Sequence, residues 1–129
     1  MEGVVKLDPQ SSVPLFQQIA AAIEGQILTG ELLAGDFIPS VRDLALTLVV
    51  NPNTVAKAYQ HLQTMKLVTL ERGKGLRVVK INAPIVDSRR QALLDAKVEE
   101  LLTFAFTLGF SRQDVVKLVE SPHDRGHRA

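Results

Sequence analysis

With 129 residues and a mass of 14.1 kDa, the chain has room for one compact domain or a small domain with an appendage, which excludes a large multidomain enzyme. Hydrophobic residues at 46% and charged residues at 22% give a globular mixture, and the absence of cysteine removes disulfides, thiolate metal sites, iron–sulfur clusters and cysteine nucleophiles. The net charge of +1 argues against a nucleic-acid binder, but it averages unlike segments: residues 1–35 carry one lysine against four acids, residues 36–80 seven bases against three acids, and the remainder balances.

The N-terminal stretch Gly3 to Leu7 reads as a short strand or an extended arm. Pro14 then stands where a first helical residue is favoured, and Leu15, Ile19, Ile23 and Ile27 recur every fourth position up to Gly30, a natural terminator. This predicts an amphipathic helix. After a turn at Gly35-Asp36, Ser40 with Asp43 three residues on forms a capping arrangement, and a short second helix follows with Leu44, Ala45 and Leu48 inward. Asn51-Pro52 opens a third helix, Asn51 as cap and Pro52 in its first turn. Its inward stripe is Val55, Ala58, Tyr59 and Leu62, and its other face is Asn53, Ala56, Lys57, Gln60, His61 and Thr64. The segments Leu67 to Glu71 and Leu76 to Ile81, separated by Arg72-Gly73-Lys74-Gly75, read as a hairpin with a basic tip. Two short helices around a turn, followed by a hairpin, make a winged helix-turn-helix over residues 1–82.

From Pro84 a helix of roughly five or six turns is expected, with Leu94, Val98, Leu101, Leu102, Ala105 and Leu108 on one face and Gly109 ending it. Ser111 with Asp114 opens a further capped helix closed by Pro122. Two helices this small cannot bury these side chains against each other and stand alone, because units below about 40 residues need a partner. A second copy is the simplest one, which makes that face a candidate homodimer interface. The fold class is therefore mainly α with a small β-hairpin: the winged helix-turn-helix, a two-helix dimerisation region at 83–120, and a tail at 121–129 expected to be disordered.

Major-groove reading requires a slim polar helix flanked by groups that grip phosphate. On the third helix, Asn53 suits paired hydrogen bonds to adenine, Thr54 a phosphate or a thymine methyl, and Lys57 guanine acceptors or the backbone. Arg42 and the Ser40 hydroxyl, at the start of the second helix, suit a phosphate, and Lys74 between Gly73 and Gly75 suits a neighbouring minor groove. Ser40 and Asn51 also serve as caps with no ligand present, Tyr59 reads as a core ring with its hydroxyl at the rim, and the two glycines also serve the turn itself. The candidate DNA-binding set is Ser40, Arg42, Asn53, Thr54, Lys57, Gly73, Lys74 and Gly75.

The runs Pro14-Leu15-Phe16-Gln17-Gln18-Ile19, Gly35-Asp36-Phe37-Ile38-Pro39-Ser40-Val41-Arg42-Asp43-Leu44-Ala45 and Val50-Asn51-Pro52-Asn53-Thr54-Val55-Ala56-Lys57-Ala58-Tyr59 closely resemble the GntR family of bacterial transcription regulators over roughly residues 10–80. The Asn-Pro-Asn-Thr-Val form and the short helical tail resemble its YtrA subfamily. The resemblance implies a homodimeric repressor on an inverted-repeat operator, often near transporter operons. It also implies DNA contacts by the residues matching Ser40, Arg42, Asn53 and Thr54, with the wing glycines matched by Gly73 and Gly75. Two positions depart from the family pattern: Val49 replaces a turn glycine, and Ala56 replaces a frequent arginine, which implies a different base preference.

The segment after residue 81 is too short to enclose a ligand within one subunit, and any effector is unassigned. His123 and His127 with Asp124 have a helical metal spacing, but Pro122 and Gly126 favour a frayed tail, so no metal and no cofactor are expected. No catalytic constellation is present, and an enzyme is not expected. No apolar run is long enough for a membrane span, and Met1-Glu2-Gly3-Val4-Val5-Lys6 lacks the layout of a secretion signal, which points to the cytoplasm. The expected partners are double-stranded DNA and a second copy; the alternative is a winged-helix adaptor that docks another protein through the Leu94 to Leu108 stripe.

Overall fold

A computed structural model describes residues 5–121. Five helices and one hairpin follow in chain order: α1 (Leu15–Thr29), α2 (Val41–Leu48), α3 (Pro52–Thr64), β1 (Val68–Glu71), β2 (Gly75–Val78), α4 (Ala83–Thr107) and α5 (Arg112–Glu120). Contacts divide the chain within α4, between Asp87 and Ser88, whereas the sequence placed its boundary after residue 82.

In the first unit α3 is the hub, packing on α1, α2 and β1. Ile19 and Ile23 of α1 meet Val55, Ala58 and Leu62 of α3, all at 0% exposure, and Leu44, Leu67, Val68 and Val78 close the core around them. Such burial contributes about 1.5–3 kcal/mol for each large aliphatic side chain. Val5 and Leu7 pack against this core without forming a strand, so the described part of the first segment is an extended arm. The Gln18 amide holds the loop before α1: its Oε1 accepts from the Asp8 N–H at 2.7 Å, and its Nε2 donates to the carbonyls of Asp8 and Val13 at 3.0 and 2.8 Å.

The caps account for the helix boundaries. Gly30 ends α1 in the left-handed region at φ 85°. Ser40 Oγ accepts the Asp43 N–H at 3.0 Å at the start of α2, and Asn51 Oδ1 accepts the Asn53 N–H at 2.8 Å at the start of α3. The turn between α2 and α3 is less relaxed. Val49 ends α2 at φ 57°, ψ 53°, a conformation in which a β-branched side chain crowds its own carbonyl at a cost of about 1–2 kcal/mol.

The hairpin pairs antiparallel with Val68 opposite Val78 and Glu71 opposite Gly75. Its second strand stops at Val78 rather than Ile81, and Gly75 belongs to that strand rather than to the turn. The turn is closed by the Lys74 N–H donating to the Glu71 carbonyl at 2.9 Å, with Gly73 at φ 81° supplying the left-handed third position. Residues 35–38 run along the outer edge of β2: the Gly35 and Ile38 N–H groups donate to the carbonyls of Val78 and Leu76, and the Val78 N–H donates to the Asp36 carbonyl at 2.7 Å. This lining occupies the strand edge and leads directly into Pro39 and Ser40.

In the second unit, α4 continues to Thr107, so the helix that begins at Ala83 has 25 residues, about seven turns rather than five or six. Gly109 at φ 87° ends it, and the Phe110 N–H donates back to the Ala105 carbonyl at 2.9 Å. Ser111 and Asp114 then cap α5 reciprocally: Ser111 Oγ accepts the Asp114 N–H at 3.1 Å, and Asp114 Oδ2 accepts the Ser111 N–H at 2.8 Å. These bonds to Ser111 hold the Asp114 carboxyl below the usual carboxylate range. His123, Asp124 and His127, and the expected tail beyond Ser121, lie outside the described residues.

Candidate nucleic-acid interface

The inward stripe of α3 turns its polar residues outward. Asn53, Ala56, Lys57, Gln60, His61 and Thr64 are exposed and Thr54 is half-buried, while Val55, Ala58, Tyr59 and Leu62 are buried. At the start of α2, Ser40 and Arg42 are also exposed. Because Ser40 Oγ accepts from a backbone amide, its own hydrogen remains available to a phosphate oxygen. In the wing, Gly73 and Lys74 are exposed and Gly75 is half-buried.

These elements share one concavity. A cleft of about 410 Å³ lies between α3 and the wing, with Ser40, Val41, Ala56, Gln63, Lys74 and Gly75 among its walls. The start of the second helix, the outer face of the third and the hairpin therefore open toward the same space. Asn53 and Lys57 lie one turn apart on the adjoining helical surface.

Two contacts fix this arrangement, and the sequence shows neither partner. The Tyr59 hydroxyl donates to the Pro39 carbonyl at 2.7 Å, so a core ring holds the residue that precedes Ser40. Burial pushes the phenol pKa up, which keeps it in the donating form. The second contact is at Lys57, whose ammonium sits 4.2 Å from the centroid of the Phe16 ring on α1. A cation held over an aromatic face in this way has less freedom to lose on meeting a nucleic acid. Its signal was the aromatic residue one place after Pro14-Leu15, but the sequence does not show that the start of α1 lies beside the middle of α3.

Lys74 also has a neighbour. Its Nζ lies 3.5 Å from Glu71 Oε2, while Arg77 Nε donates to Glu71 Oε1 at 2.8 Å. The lysine proposed for a minor groove thus bends back toward the hairpin.

The candidate interface between copies divides in two. Leu94, Val98, Leu101 and Leu108 are 44–61% exposed, whereas Leu102 and Ala105 are 6% exposed within the single chain. Phe104, Phe106 and Phe110, not singled out in the sequence, add exposed aromatic surface to the same region. Among the described residues there is no group of three or more His, Asp or Glu able to hold a metal, and no helix is long and apolar enough to cross a membrane.

The family model for bacterial regulatory proteins of the gntR family matches residues 15–78. The chain is 30% identical over 106 residues to the HTH-type transcriptional repressor YtrA of Bacillus subtilis (strain 168), covering 82% of each protein. Among solved structures, a GntR family transcriptional regulator from Listeria monocytogenes superposes with a TM-score of 0.71 at 28% identity, over 88% of this chain and 97% of that one. The DNA-binding domain of AraR in complex with operator ORE1 superposes with a TM-score of 0.50 at 26% identity, over 57% of this chain and 90% of that one.

Proposed function

Because the chain belongs to the GntR family of bacterial regulatory proteins and is a helix-turn-helix transcriptional regulator rather than an enzyme, we propose that it acts in the cytoplasm as a homodimeric repressor on an inverted-repeat operator. The carrying observation is the shared concavity, which sets Ser40, Ala56, Gln63 and Lys74 around one opening beside Asn53 and Lys57. In this reading Asn53 and Thr54 enter the major groove, and Ala56 adds an apolar contact suited to a thymine methyl. Ser40 and Arg42 hold a phosphate at the start of α2, and the wing around Gly73, Lys74 and Gly75 reaches the neighbouring groove.

A second copy is supported by the exposed apolar side chains of α4 and the turn after it, chiefly Leu94, Val98, Leu101, Phe104 and Leu108. Two recognition helices related by a twofold axis read half-sites about one helical turn, roughly 34 Å, apart. The repressor role follows that of the Bacillus subtilis relative, a transcriptional repressor, and a transporter operon as its target follows the family resemblance.

The test is selection of genomic fragments retained by the purified protein, followed by salt titration of the recovered duplex. The expected outcome is a twofold-symmetric sequence bound by a dimer, with log affinity falling linearly as log salt rises. A monomer indifferent to every duplex at low salt would refute the reading; a monomer that instead bound another polypeptide would establish the adaptor.

A further inference from the structure

The wing has four bases, Arg72, Lys74, Arg77 and Lys80, and one acid, Glu71. That acid occupies a particular place. It ends β1 opposite Gly75, so its cross-strand partner puts no side chain over it. The diagonal neighbour on the same face is Arg77, whose Nε reaches Glu71 Oε1 at 2.8 Å. The other carboxylate oxygen, Oε2, faces Lys74 Nζ at 3.5 Å. One carboxylate thus engages two cations, and all three side chains remain accessible, at 36% for Glu71, 67% for Lys74 and 38% for Arg77.

We infer that Glu71 restrains the grip of the wing, occupying two cations that a DNA phosphate would otherwise recruit, so that binding has to exchange a carboxylate for a phosphate. This rests on the proposed DNA-binding function and deepens it. Phosphate contacts carry no sequence information, so the restraint lowers affinity for every duplex alike. It also reduces the number of mobile counterions released on binding, because part of the cations' neutralisation is internal.

Glu71→Gln tests this in the full chain. The amide keeps the shape and an acceptor for Arg77 Nε but removes the charge. E71Q is expected to bind both a fragment recovered by genomic selection and its shuffled counterpart about three- to tenfold more tightly than the unaltered protein. Its log–log salt slope between about 50 and 200 mM should be steeper by about one. The gain should be smaller in E71Q/K74M, measured against K74M, because one of the released cations is then missing. A structural role alone would change the melting temperature without these shifts. If the unaltered protein binds duplex and E71Q binds no better with the same slope, the inference is overturned while the proposed function stands. If neither protein binds any duplex at about 50 mM salt, the proposed function fails and takes the inference with it.

Discussion

Residues up to Asp87 and residues from Ser88 onward draw on the same apolar alphabet and use it in opposite ways. In the first region Ile19, Ile23, Val55 and Leu62 are wholly removed from solvent by their own chain. In the second, Leu102 and Ala105 are the buried residues among those described, while Leu94, Phe104, Leu108 and Leu118 are each at least 58% exposed. A core closed within one chain explains a scaffold able to hold recognition groups in register. An apolar surface left open calls for another surface to cover it. On the proposed function the first region supplies shape and the second assembly, and each half can be challenged separately.

The largest effect should come from closing off assembly. Leu94→Asp with Leu101→Asp should convert a dimer into a 14.1 kDa species in sedimentation and weaken operator binding about 10²- to 10⁴-fold, the advantage of joining two half-site contacts. An unchanged dimer would show that α4 is not the seam. In the other region, Ile23→Ala leaves a void beneath α3 and should cost about 2–5 kcal/mol in denaturant unfolding. A loss below 1 kcal/mol would mean that this core is less closed than its burial indicates.

Arg42→Ala and Asn53→Ala should each cost about 1–3 kcal/mol in binding while leaving stability and mass unchanged. The first should act on all duplexes and the second should also relax base preference. Equal losses on operator and shuffled DNA for both variants would contradict that division. Val49→Gly should raise stability by about 1 kcal/mol, because the strain of a branched residue at φ 57° is partly offset by the greater freedom of unfolded glycine; calorimetry would show whether the midpoint rises.

The smallest effect belongs to the cap of α5. The carboxyl of Asp114 has a depressed folded pKa, so its contribution is fully present above the unfolded carboxylate range and is lost as pH falls through the folded value. Protection factors of the amides in Arg112–Glu120, taken against intrinsic rates at each pH, should therefore fall on acidification ahead of those in α3. The same order in Asp114→Asn would exclude the cap as the cause.

Helix positions were legible because each has a local signal: Gly30 and Gly109 stop helices, while Ser40, Asn51 and Ser111 start them. The polar face of α3 was legible for the same reason, as the complement of its apolar stripe. What escaped depends on distance along the chain. Residues 35–38 bond to β2 across some forty residues, and neither the Phe16 ring under Lys57 nor the Tyr59 bond to Pro39 has a local signature. The bounds of α4 were legible from Pro84 and Gly109, and only its turn count was underestimated, since that span holds about seven turns at 3.6 residues each. Leu102 and Ala105 share their periodicity with Leu94 and Leu101, and periodicity does not distinguish a face covered by its own chain from one left open.

The bond from Tyr59 to the Pro39 carbonyl makes one side chain answer to two demands at once. On the proposed function, variation at positions 53 and 56 explores new targets without disturbing the interior, whereas a smaller residue at position 59 alters packing and the approach of the second helix together. A library built to retarget this regulator should therefore randomise the outer face freely and leave that tyrosine alone, because variants lost there would be lost to misfolding before their preference could be read.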